Sequence, residues 1–447
     1  MALTGMAIYK ILPKKNCGEC SFPTCMAFAM QVAAKQKAIT DCPKLSDTAK
    51  QEFADSSAPP MKLVHIGPEG KAGFEVGQET VMFRHEERFH RAPGIAVRIA
   101  ASSSDADAMA KLDQINKAVF KRVGQEIMVR LAAVDVDGLS ASQAAARVKA
   151  IAAKSRVPLV VMGTQPEPVA AAVAAIAVQK PLVYKATEEN AAAFIKIASD
   201  AKCPLAVGAE SLEKLADLTV AAREKGVTGI VLAFDGKKTT KTIREITTAR
   251  RAALRKSFRN LGYPAIVDVA GDDEMRETVL ASTFAAKYAG IIVINSVDPS
   301  VLLPILTTIQ NVYTDPQVPN TVEAKLYEIG NVSRCSPVLF TTNFSLTYFS
   351  VEGEVVRSKI PAYICVVETE GLGVLNAYAG DKLSPEKVMK ALDQQKVAEK
   401  VSHRKLIIPG LLPSFRSEIE QSSEWKEVLI GPENASGIPK FLVETWR

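Results

Sequence analysis

Residues 158–184, PLVVMGTQPEPVAAAVAAIAVQKPLVY, contain the pattern that decides the fold of this chain. Two short apolar runs, Pro158–Met162 and Pro181–Tyr184, flank an alanine-rich stretch, Pro166–Gln179, whose length and composition favour a helix. Two strands joined through a helix lie parallel in one sheet, because a parallel crossover needs roughly a dozen residues. The stretch therefore predicts one βαβ unit.

The same alternation continues on both sides of this unit. Further strands are predicted at Ile95–Ile99, Ile127–Val134, Pro204–Val207, Gly229–Phe234, Ala265–Val269 and Ile291–Asn295, and further helices at Ser140–Lys154, Asn190–Ala201 and Thr239–Phe258. Eight such units within roughly 230 residues are typical of a TIM (β/α)8 barrel rather than of an open sheet. We therefore predict an α/β protein with a barrel at residues 93–313.

Length and composition limit the class of protein. The 447 residues exceed one ordinary domain, and the excess of 55 basic over 49 acidic side chains is too small for a nucleic-acid-binding surface. No leader segment with an apolar core is evident at the start, and the longest apolar run, Val169–Val178, is far shorter than the ~20 residues that span a bilayer. We expect a cytoplasmic protein without nucleic acid or membrane among its partners.

Four of the 7 cysteines lie near the start of the chain, at Cys17, Cys20, Cys25 and Cys42. Four thiolates can enclose a tetrahedral metal ion or hold the corners of an iron–sulfur cube, and thiols in the cytoplasm are reduced rather than paired. The spacing C-x2-C-x4-C-x16-C favours a [4Fe-4S] cluster, because structural zinc sites usually pair two Cys knuckles. Zinc is the alternative. Cys203, Cys335 and Cys365 are interpreted as ordinary buried or loop residues.

The domain organisation follows from changes in the pattern. Residues 1–57 form a small cysteine-rich domain with helices at Met6–Leu12 and Thr24–Lys37, and residues 58–92 are interpreted as a linker or extended arm. The barrel is followed by a Pro-rich linker at 314–325 and by a third domain at 326–447. For the third domain we predict strands at Val338–Thr342, Leu346–Ser350, Ala362–Val367, Lys405–Ile408 and Glu427–Ile430, and helices at Ser384–Asp393 and Ser414–Ser422.

Several stretches together resemble one known family. They are NCGECSFPTC at 16–25 followed by Asp41-Cys42-Pro43, the barrel region, YTDPQVP at 313–319 and TTNFSLTYFSVEGE at 341–354. In combination they are similar to the large (gamma) subunits of the corrinoid iron–sulfur proteins of the anaerobic acetyl-CoA (Wood–Ljungdahl) pathway. The resemblance covers essentially the whole chain in the same three-part order.

The resemblance implies a methyl-group carrier. The N-terminal domain would hold a [4Fe-4S] cluster and the C-terminal domain a corrinoid, whose cobalt accepts a methyl group from methyltetrahydrofolate through a separate methyltransferase. Cobalt then passes the methyl group to acetyl-CoA synthase, and the cluster reduces Co(II) back to Co(I). The implied partners are a small subunit in a heterodimer, the methyltetrahydrofolate methyltransferase and CO dehydrogenase/acetyl-CoA synthase. Such a subunit does not act alone, and no catalytic residue is assigned to it.

The same resemblance assigns residues to both cofactors. Cys17, Cys20, Cys25 and Cys42 are the expected cluster ligands. The expected corrinoid contacts are Thr341, Thr342, Asn343, Ser345, Leu346, Thr347, Gly371, Leu372, Gly373, Val374, Leu375, Asn376, Gly410, Gly431, Asn434, Ala435, Ser436 and Gly437. Family members often have Thr where this chain has Asn376. Hydroxyls and main-chain groups suit the amide arms of a tetrapyrrole, although such residues are also common in turns and caps.

The remaining polar residues give weaker signals. None of the four histidines, His65, His85, His90 and His403, lies in the D-x-H-x-x-G motif of many cobalamin domains, so a base-off corrinoid without a protein histidine is expected. Asp135, Asp137, Glu210, Asp235 and Asp268 near strand ends are interpreted as solvated loop carboxylates, and the basic run from Arg250 to Arg259 as a solvated helix face.

Two other functions are compatible with the residues alone. One is an iron–sulfur electron-transfer module on a barrel pterin methyltransferase. The other is a non-catalytic assembly subunit with structural zinc.

Overall fold

The computed structural model describes residues 4–34, 36–46, 49–50, 53, 59–70 and 73–446. It divides into two compact units. The first runs to Ala118 and resumes at Val129–Tyr313, whereas the second comprises Val119–Met128 and the chain from Thr314 onward. The predicted boundary between residues 57 and 58 lies outside the described residues.

The cysteine-rich segment contains helices α1 (Gly5–Ile11) and α2 (Cys25–Ala33), followed by a 3-10 turn at Ile39–Asp41. Ile8, Leu12, Phe28, Ala29 and Val32 form its small core together with Cys25 and Cys42. Helix α2 ends at Ala33, short of the predicted end at Lys37, where the backbone N–H of Ala34 closes the last turn on Met30.

The segment predicted as a linker contains a β-hairpin. Strands β1 (Leu63–Ile66) and β2 (Phe74–Gly77) pair antiparallel, and Val64, Ile66, Phe74 and Val76 are buried in one cluster with residues of the barrel interior. A side chain at Gly94 or Gly290, near the starts of two barrel strands, would overlap Phe74 or Val76. The linker interpretation was therefore wrong here, because the hairpin closes the amino end of the barrel.

The strands that follow confirm the predicted barrel. In chain order they are β3 (Gly94–Ile99), β4 (Val119–Arg122), β5 (Gln125–Met128), β6 (Leu131–Asp135), β7 (Leu159–Met162), β8 (Leu182–Ala186), β9 (Leu205–Val207), β10 (Ile230–Asp235), β11 (Ala265–Asp268) and β12 (Ala289–Ile294). Strand β3 and strands β6 to β12 form a closed parallel barrel, in which β12 returns to β3 with Ile291 opposite Gly94. The helices are α3 (Asp105–Lys117), α4 (Ala141–Lys154), α5 (Pro166–Ala175), α6 (Ala191–Ala201), α7 (Leu212–Glu224), α8 (Thr239–Lys256), α9 (Glu274–Ala286) and α10 (Pro299–Tyr313).

One predicted barrel strand, Ile127–Val134, is two separate elements. Its first part lies in β5, which pairs antiparallel with β4 in a hairpin outside the barrel, and its second part lies in barrel strand β6. The stretch from Ile127 to Val134 is apolar except for Arg130 and conceals this break, because apolar runs give no information on where the chain changes partner.

The basic run that begins on α8 was predicted to be a solvated helix face, but one of its arginines is buried. Arg250 is only 4% exposed and pairs with Glu79, which is 5% exposed. Its guanidinium also donates to the carbonyl of Val81 at 3.0 Å and lies over the rings of Phe89 and Tyr288. A buried arginine of this kind anchors the 79–91 segment to the barrel.

The second unit is a five-stranded α/β sheet. Its strands are β13 (Leu326–Ile329), β14 (Val338–Thr342), β15 (Ala362–Val367), β16 (Lys405–Ile408) and β17 (Glu427–Ile430), in the order β13-β15-β14-β16-β17 with only β13 antiparallel. Its helices are α11 (Ser345–Ser358), α12 (Val374–Ala379), α13 (Pro385–Gln394), α14 (Val397–Lys400), α15 (Phe415–Ser422) and α16 (Ile438–Thr445).

One strand prediction for this unit was wrong. The predicted strand Leu346–Ser350 is the first part of α11, in which Tyr348 and Val355 are seven residues apart on one buried face. The predicted linker at 314–325 begins at the boundary between the two units. It is hydrogen-bonded to the C-terminal unit at 320–322, where the N–H of Ser345 donates to the carbonyl of Asn320 and the N–H of Val322 to that of Asn343, both at 2.9 Å.

No helix within the described ranges is long and apolar enough to cross a membrane.

Candidate functional site

The four clustered cysteines differ in their exposure. Cys17 is exposed, Cys20 is half-buried, and Cys25 and Cys42 are buried. Cys25 is the first residue of α2, which Thr24 caps by accepting a hydrogen bond from the N–H of Ala27 at 3.1 Å. The thiols therefore extend from the domain core at Cys25 and Cys42 to the surface at Cys17.

The loop that contains the first two cysteines is tightly curled. Lys14, Asn16, Gly18 and Ser21 have φ between +48° and +74°. Alternation of this kind turns successive backbone N–H groups toward one side, which suits an anionic thiolate-bound cluster. Asn16 fastens the loop to α2, because its side chain accepts the N–H of Cys25 at 2.8 Å and its own N–H donates to the Cys25 Sγ at 3.4 Å.

The electrostatics of Cys42 link the four thiols. Burial raises the pKa of the Cys42 thiol, a backbone hydrogen bond at Lys44 opposes the rise, and the charges of Cys20, Cys25 and Cys17 add to it. No group of three or more Cys, His, Asp or Glu side chains in the described part of the chain forms a ready-made site for a metal ion. Cys25 and Cys42 nevertheless share one core cluster, and Cys20 packs against it. Their soft donor set fits an iron–sulfur cluster, while the ligand assignment stays a prediction.

The second site is a cavity of about 400 Å³ at the carboxyl ends of β14 and β16. Strand β14 leads to β15 on one side, and the chain then returns to β16 on the other side. These two strands share one registered pair, Leu339–Ile407. Ligands of open α/β sheets bind at such a switch point, where connections leave a crevice between neighbouring strands.

The cavity contains part of the predicted contact set. Of the predicted residues, Thr341, Leu346, Thr347, Gly373, Val374, Leu375, Asn376, Gly431 and Ala435 line it, whereas Thr342, Asn343, Ser345, Gly371, Leu372, Gly410, Asn434, Ser436 and Gly437 are not among its lining residues. The other lining residues are Pro432 and Glu433, which lie in the predicted 431–437 loop, and Leu339, Phe340, Ser350, Val351, Ile407, Ile408, Pro409, Leu411 and Ile438, which the sequence did not indicate.

Asn343 supports the cavity rather than lining it. It is 2% exposed, and its side-chain oxygen accepts hydrogen bonds from the N–H and hydroxyl of Thr369 and from the N–H of Gly371. Gly371 has φ +74°, and a side chain there would overlap Pro319 and Thr321. Asn343 thereby fixes the loop that leads to Gly373 and α12.

Gly410 also supports the cavity without lining it. A Cβ at Gly410 would overlap the backbone of Gly431, Pro432 and Glu433. The absence of a side chain therefore lets the loops after β16 and β17 meet, and together they form one wall of the cavity.

Two buried threonine hydroxyls at the end of β14 have no hydrogen-bond partner among the described residues. They belong to Thr341, which lines the cavity, and to Thr342, which does not. Buried polar groups in native proteins are normally paired, so the Thr341 hydroxyl is available to a ligand in the cavity. The exposed side chains of Leu346, Leu375 and Leu411 stand among the lining residues and provide an apolar surface for a ring.

The histidines lie elsewhere in the described structure. His403 uses both ring nitrogens, one at 2.9 Å from the carbonyl of Ser336 and the other accepting the N–H of Lys405 at 3.2 Å. His65 is hydrogen-bonded to the carbonyl of Pro68. Neither is among the residues that line the cavity.

Acidic side chains at the carboxyl end of the barrel, which were expected to be solvated, make contacts within the protein. Asp268 is only 22% exposed and pairs with Arg98, so it is not a solvated loop carboxylate. Burial raises the pKa of Asp135, whose side chain accepts the N–H of Asp137 at 3.0 Å. Asp137 in turn accepts the N–H and hydroxyl of Thr164. These carboxylates hold strand ends in place.

Comparison with known proteins gives concordant matches over nearly the whole chain. The family model described as CO dehydrogenase/acetyl-CoA synthase delta subunit matches residues 63–442, and a model for an Fe–S cluster segment matches residues 12–44. The "Corrinoid/iron-sulfur protein large subunit" of Moorella thermoacetica is 41% identical over 441 residues, which cover 99% of this chain and 98% of the relative. The "Acetyl-CoA decarbonylase/synthase complex subunit gamma" of Methanopyrus kandleri is 34% identical over 455 residues, which cover 98% and 97%.

Among solved structures, 7,8-dihydropteroate synthase from Vibrio fischeri ES114 matches with a TM-score of 0.39 and 12% identity, covering 56% of this chain and 99% of the synthase. The full-length relatives and the family model together decide the assignment. The chain belongs to the family of corrinoid/iron–sulfur protein large subunits and acetyl-CoA decarbonylase/synthase gamma subunits.

Proposed function

We propose that this chain is a methyl-group carrier that holds a corrinoid in its C-terminal unit and a [4Fe-4S] cluster on its N-terminal cysteines. The observation on which the proposal depends is the cavity at the β14–β16 switch point, which has a buried, unpartnered Thr341 hydroxyl and apolar side chains among its lining residues. The family membership supports the choice of a corrinoid, since the Moorella thermoacetica relative bears that word in its name.

The chain's own residues would hold the corrinoid from one face. Thr341, Thr347 and Asn376 offer hydroxyl and amide groups to its polar arms, and Leu346 and Leu375 offer apolar contact to its ring. No histidine is among the lining residues, which supports a base-off corrinoid whose cobalt has no protein imidazole below it. When bound, a cobalt corrinoid supplies a metal that takes up a methyl group and gives it up again.

The N-terminal cysteines would hold the cluster that reduces that metal. Cys17, Cys20, Cys25 and Cys42 would bind the cluster, and the curled 14–21 backbone would offer its N–H groups to the cluster sulfurs. A [4Fe-4S] cluster supplies single electrons, which is the requirement for returning Co(II) to Co(I).

The partners follow from this role. We propose a heterodimer with a small subunit, a methyltetrahydrofolate methyltransferase that donates the methyl group, and a CO dehydrogenase/acetyl-CoA synthase that accepts it, all in the cytoplasm. The named complexes of the relatives support a multi-subunit assembly. All residues that line the cavity belong to the C-terminal unit, which favours this carrier over a barrel pterin methyltransferase.

Metal content and a visible spectrum of anaerobically purified protein test the proposal. We expect about four irons and about one cobalt per chain, with the absorption bands of a corrinoid, after co-expression with the small subunit. Iron without cobalt under these conditions would contradict the methyl-carrier function. Zinc without iron would favour a structural assembly subunit instead.

A further inference from the structure

The hairpin of β4 and β5 belongs to one unit by sequence position and to the other by packing. It lies in the chain between barrel helix α3 and barrel strand β6. The division into compact units nevertheless assigns Val119–Met128 to the C-terminal unit. At its base, the N–H of Val129 donates to the carbonyl of Ala118 at 3.2 Å, so the hairpin leaves and re-enters the barrel unit at adjacent points.

The turn of this hairpin has an unusual backbone. Val123 has φ +50° and Gly124 has φ +69°, the left-handed pair of a type I′ turn. Glycine adopts this conformation readily, but a β-branched residue such as valine rarely does. Backbone in a sparsely populated region persists where surrounding contacts hold it, and it marks positions with a defined task.

The contact at the turn identifies that task. A Cβ at Gly124 would overlap the ring of Phe349, so the turn backbone lies directly against this side chain. Phe349 is on α11 and packs edge-on against Tyr348 with ring centroids 5.0 Å apart. Tyr348 is 2% exposed and also contacts Tyr327 at 4.5 Å.

Helix α11 is also a wall of the cavity. Leu346, Thr347, Ser350 and Val351 line the cavity from this helix, on either side of the Tyr348–Phe349 pair. We propose that the β4–β5 hairpin is a positioning arm: a segment encoded within the barrel holds α11, and with it the cavity wall, through the Gly124–Phe349 contact.

The arm increases the number of chain connections between the two units. The C-terminal unit is joined to the barrel unit by three covalent crossings, at 118/119, 128/129 and 313/314, rather than by the Pro-rich segment alone. The hairpin is therefore part of the C-terminal unit, although the chain on both sides of it belongs to the barrel unit.

Hydrogen exchange of the full chain, read by mass spectrometry, tests the arm with two glycine variants. Gly124→Ala introduces a side chain both at positive φ and against Phe349, whereas Gly138→Ala introduces one at φ +82° with no atom within 4 Å. We expect Gly124→Ala to speed exchange about tenfold or more in 119–128 and 345–358, with α4 and α6 unchanged. Gly138→Ala should leave both segments as in the unaltered protein.

A second variant approaches the contact from the other side. Phe349→Ala leaves the turn backbone unchanged and should also speed exchange in 119–128. Unchanged hairpin exchange in Phe349→Ala, or loss of hairpin protection in Gly124→Ala while 345–358 keeps its own, would overturn the proposal.

Titration of the same proteins with a corrinoid tests whether the arm affects the cavity. Only this part of the experiment rests on the proposed function. Weaker binding to Gly124→Ala than to Gly138→Ala supports a cavity wall set by the arm. Equal binding by the two variants overturns the arm's effect on the cavity. If the unaltered chain binds no corrinoid, the proposed function fails, and the exchange data alone decide whether the arm holds α11.

Discussion

The side-chain carbonyl of Asn343 accepts two hydrogen bonds from Thr369, one from its backbone N–H at 3.1 Å and one from its hydroxyl at 2.9 Å. The amide group of Asn343 donates to Glu368 at 2.8 Å, so both ends of this buried side chain are occupied. The loop before α12 is thus held by one residue of the neighbouring strand end.

Replacing Asn343 should therefore loosen the C-terminal unit. Asn343→Leu leaves buried donors at Thr369 and Gly371 unpaired, and we expect it to lower the free energy of unfolding by about 3 kcal/mol. Both tryptophans, Trp425 and Trp446, lie in this unit, so their fluorescence during urea unfolding reports on it. The exposed Asn434→Leu is the control and should change stability by less than about 0.5 kcal/mol. Equal effects of the two substitutions would show that Asn343 has no special part.

The two threonines at the end of β14 allow a matched test of ligand binding in the cavity. Thr341→Val and Thr342→Val each remove a buried, unpartnered hydroxyl without changing the shape of the side chain, so each should leave the unfolding free energy unchanged or raise it by up to about 1 kcal/mol. Only Thr341 lines the cavity. We expect Thr341→Val to weaken corrinoid binding about tenfold in a spectroscopic titration, with Thr342→Val close to the unaltered protein. The reverse order of affinities would place the ligand elsewhere.

The Arg250–Glu79 pair should be far more important for stability than a neighbouring exposed pair. Arg250→Met leaves the Glu79 carboxylate buried without its cation, which costs about 3–5 kcal/mol. Arg255→Met breaks the pair with Glu86, in which Arg255 is 55% exposed, and should cost less than about 1 kcal/mol. Chemical denaturation followed by circular dichroism, which reports on the barrel helices, measures both. Comparable losses would mean that burial of Arg250 contributes little.

The raised pKa of Asp135 predicts a pH-dependent stability. A carboxyl whose folded pKa lies above its ordinary value of 3.8 binds a proton more readily in the folded state, so its contribution to stability falls as the pH rises through the interval between the two values. Asp135→Asn keeps the acceptor for the N–H of Asp137 and removes the buried charge. We expect a gain of at most about 1 kcal/mol at pH 7 that shrinks toward pH 4, measured by urea unfolding. Asp113→Asn, at an exposed site on α3, should show no such pH trend.

Cys20→Ser should separate the two cofactors functionally. Loss of one cluster ligand is expected to abolish reductive reactivation of Co(II), while methyl transfer from cobalt that is already reduced continues. Cys335→Ser, an exposed cysteine of the C-terminal unit, is the matched control and should retain iron and reactivation. Absorbance and electron paramagnetic resonance follow the cluster and cobalt separately. Loss of transfer from pre-reduced cobalt in folded Cys20→Ser protein would refute the division of roles.

The barrel was predictable because each strand is a short buried run followed by an amphipathic helix, and that rhythm is local. The hairpin of β1 and β2 was not, since LVHI and FEVG become a barrel floor only through contacts with distant glycines such as Gly94 and Gly290. The strand predicted at Leu346–Ser350 failed because five residues are too few to separate a period of 2 from one of 3.6.

The cavity residues could likewise be predicted only in part from the sequence. Thr341 and Thr347 were indicated by their hydroxyls near a strand end, and Asn376 by the family resemblance. Leu339 and Ile407 were not indicated, because in the sequence they are ordinary interior residues of predicted strands. Asn343 was assigned to the ligand, whereas in the structure its side-chain oxygen and its amide group both bind the adjacent loop.

The single registered pair between β14 and β16 makes the C-terminal sheet a two-leaf structure. One leaf is β13, β15 and β14, and the other is β16 and β17, each internally paired along its strands. Thr341, which lines the cavity, belongs to the first leaf, and the lining residues Ile407 and Ile408 belong to the second, so the cavity is built from both leaves.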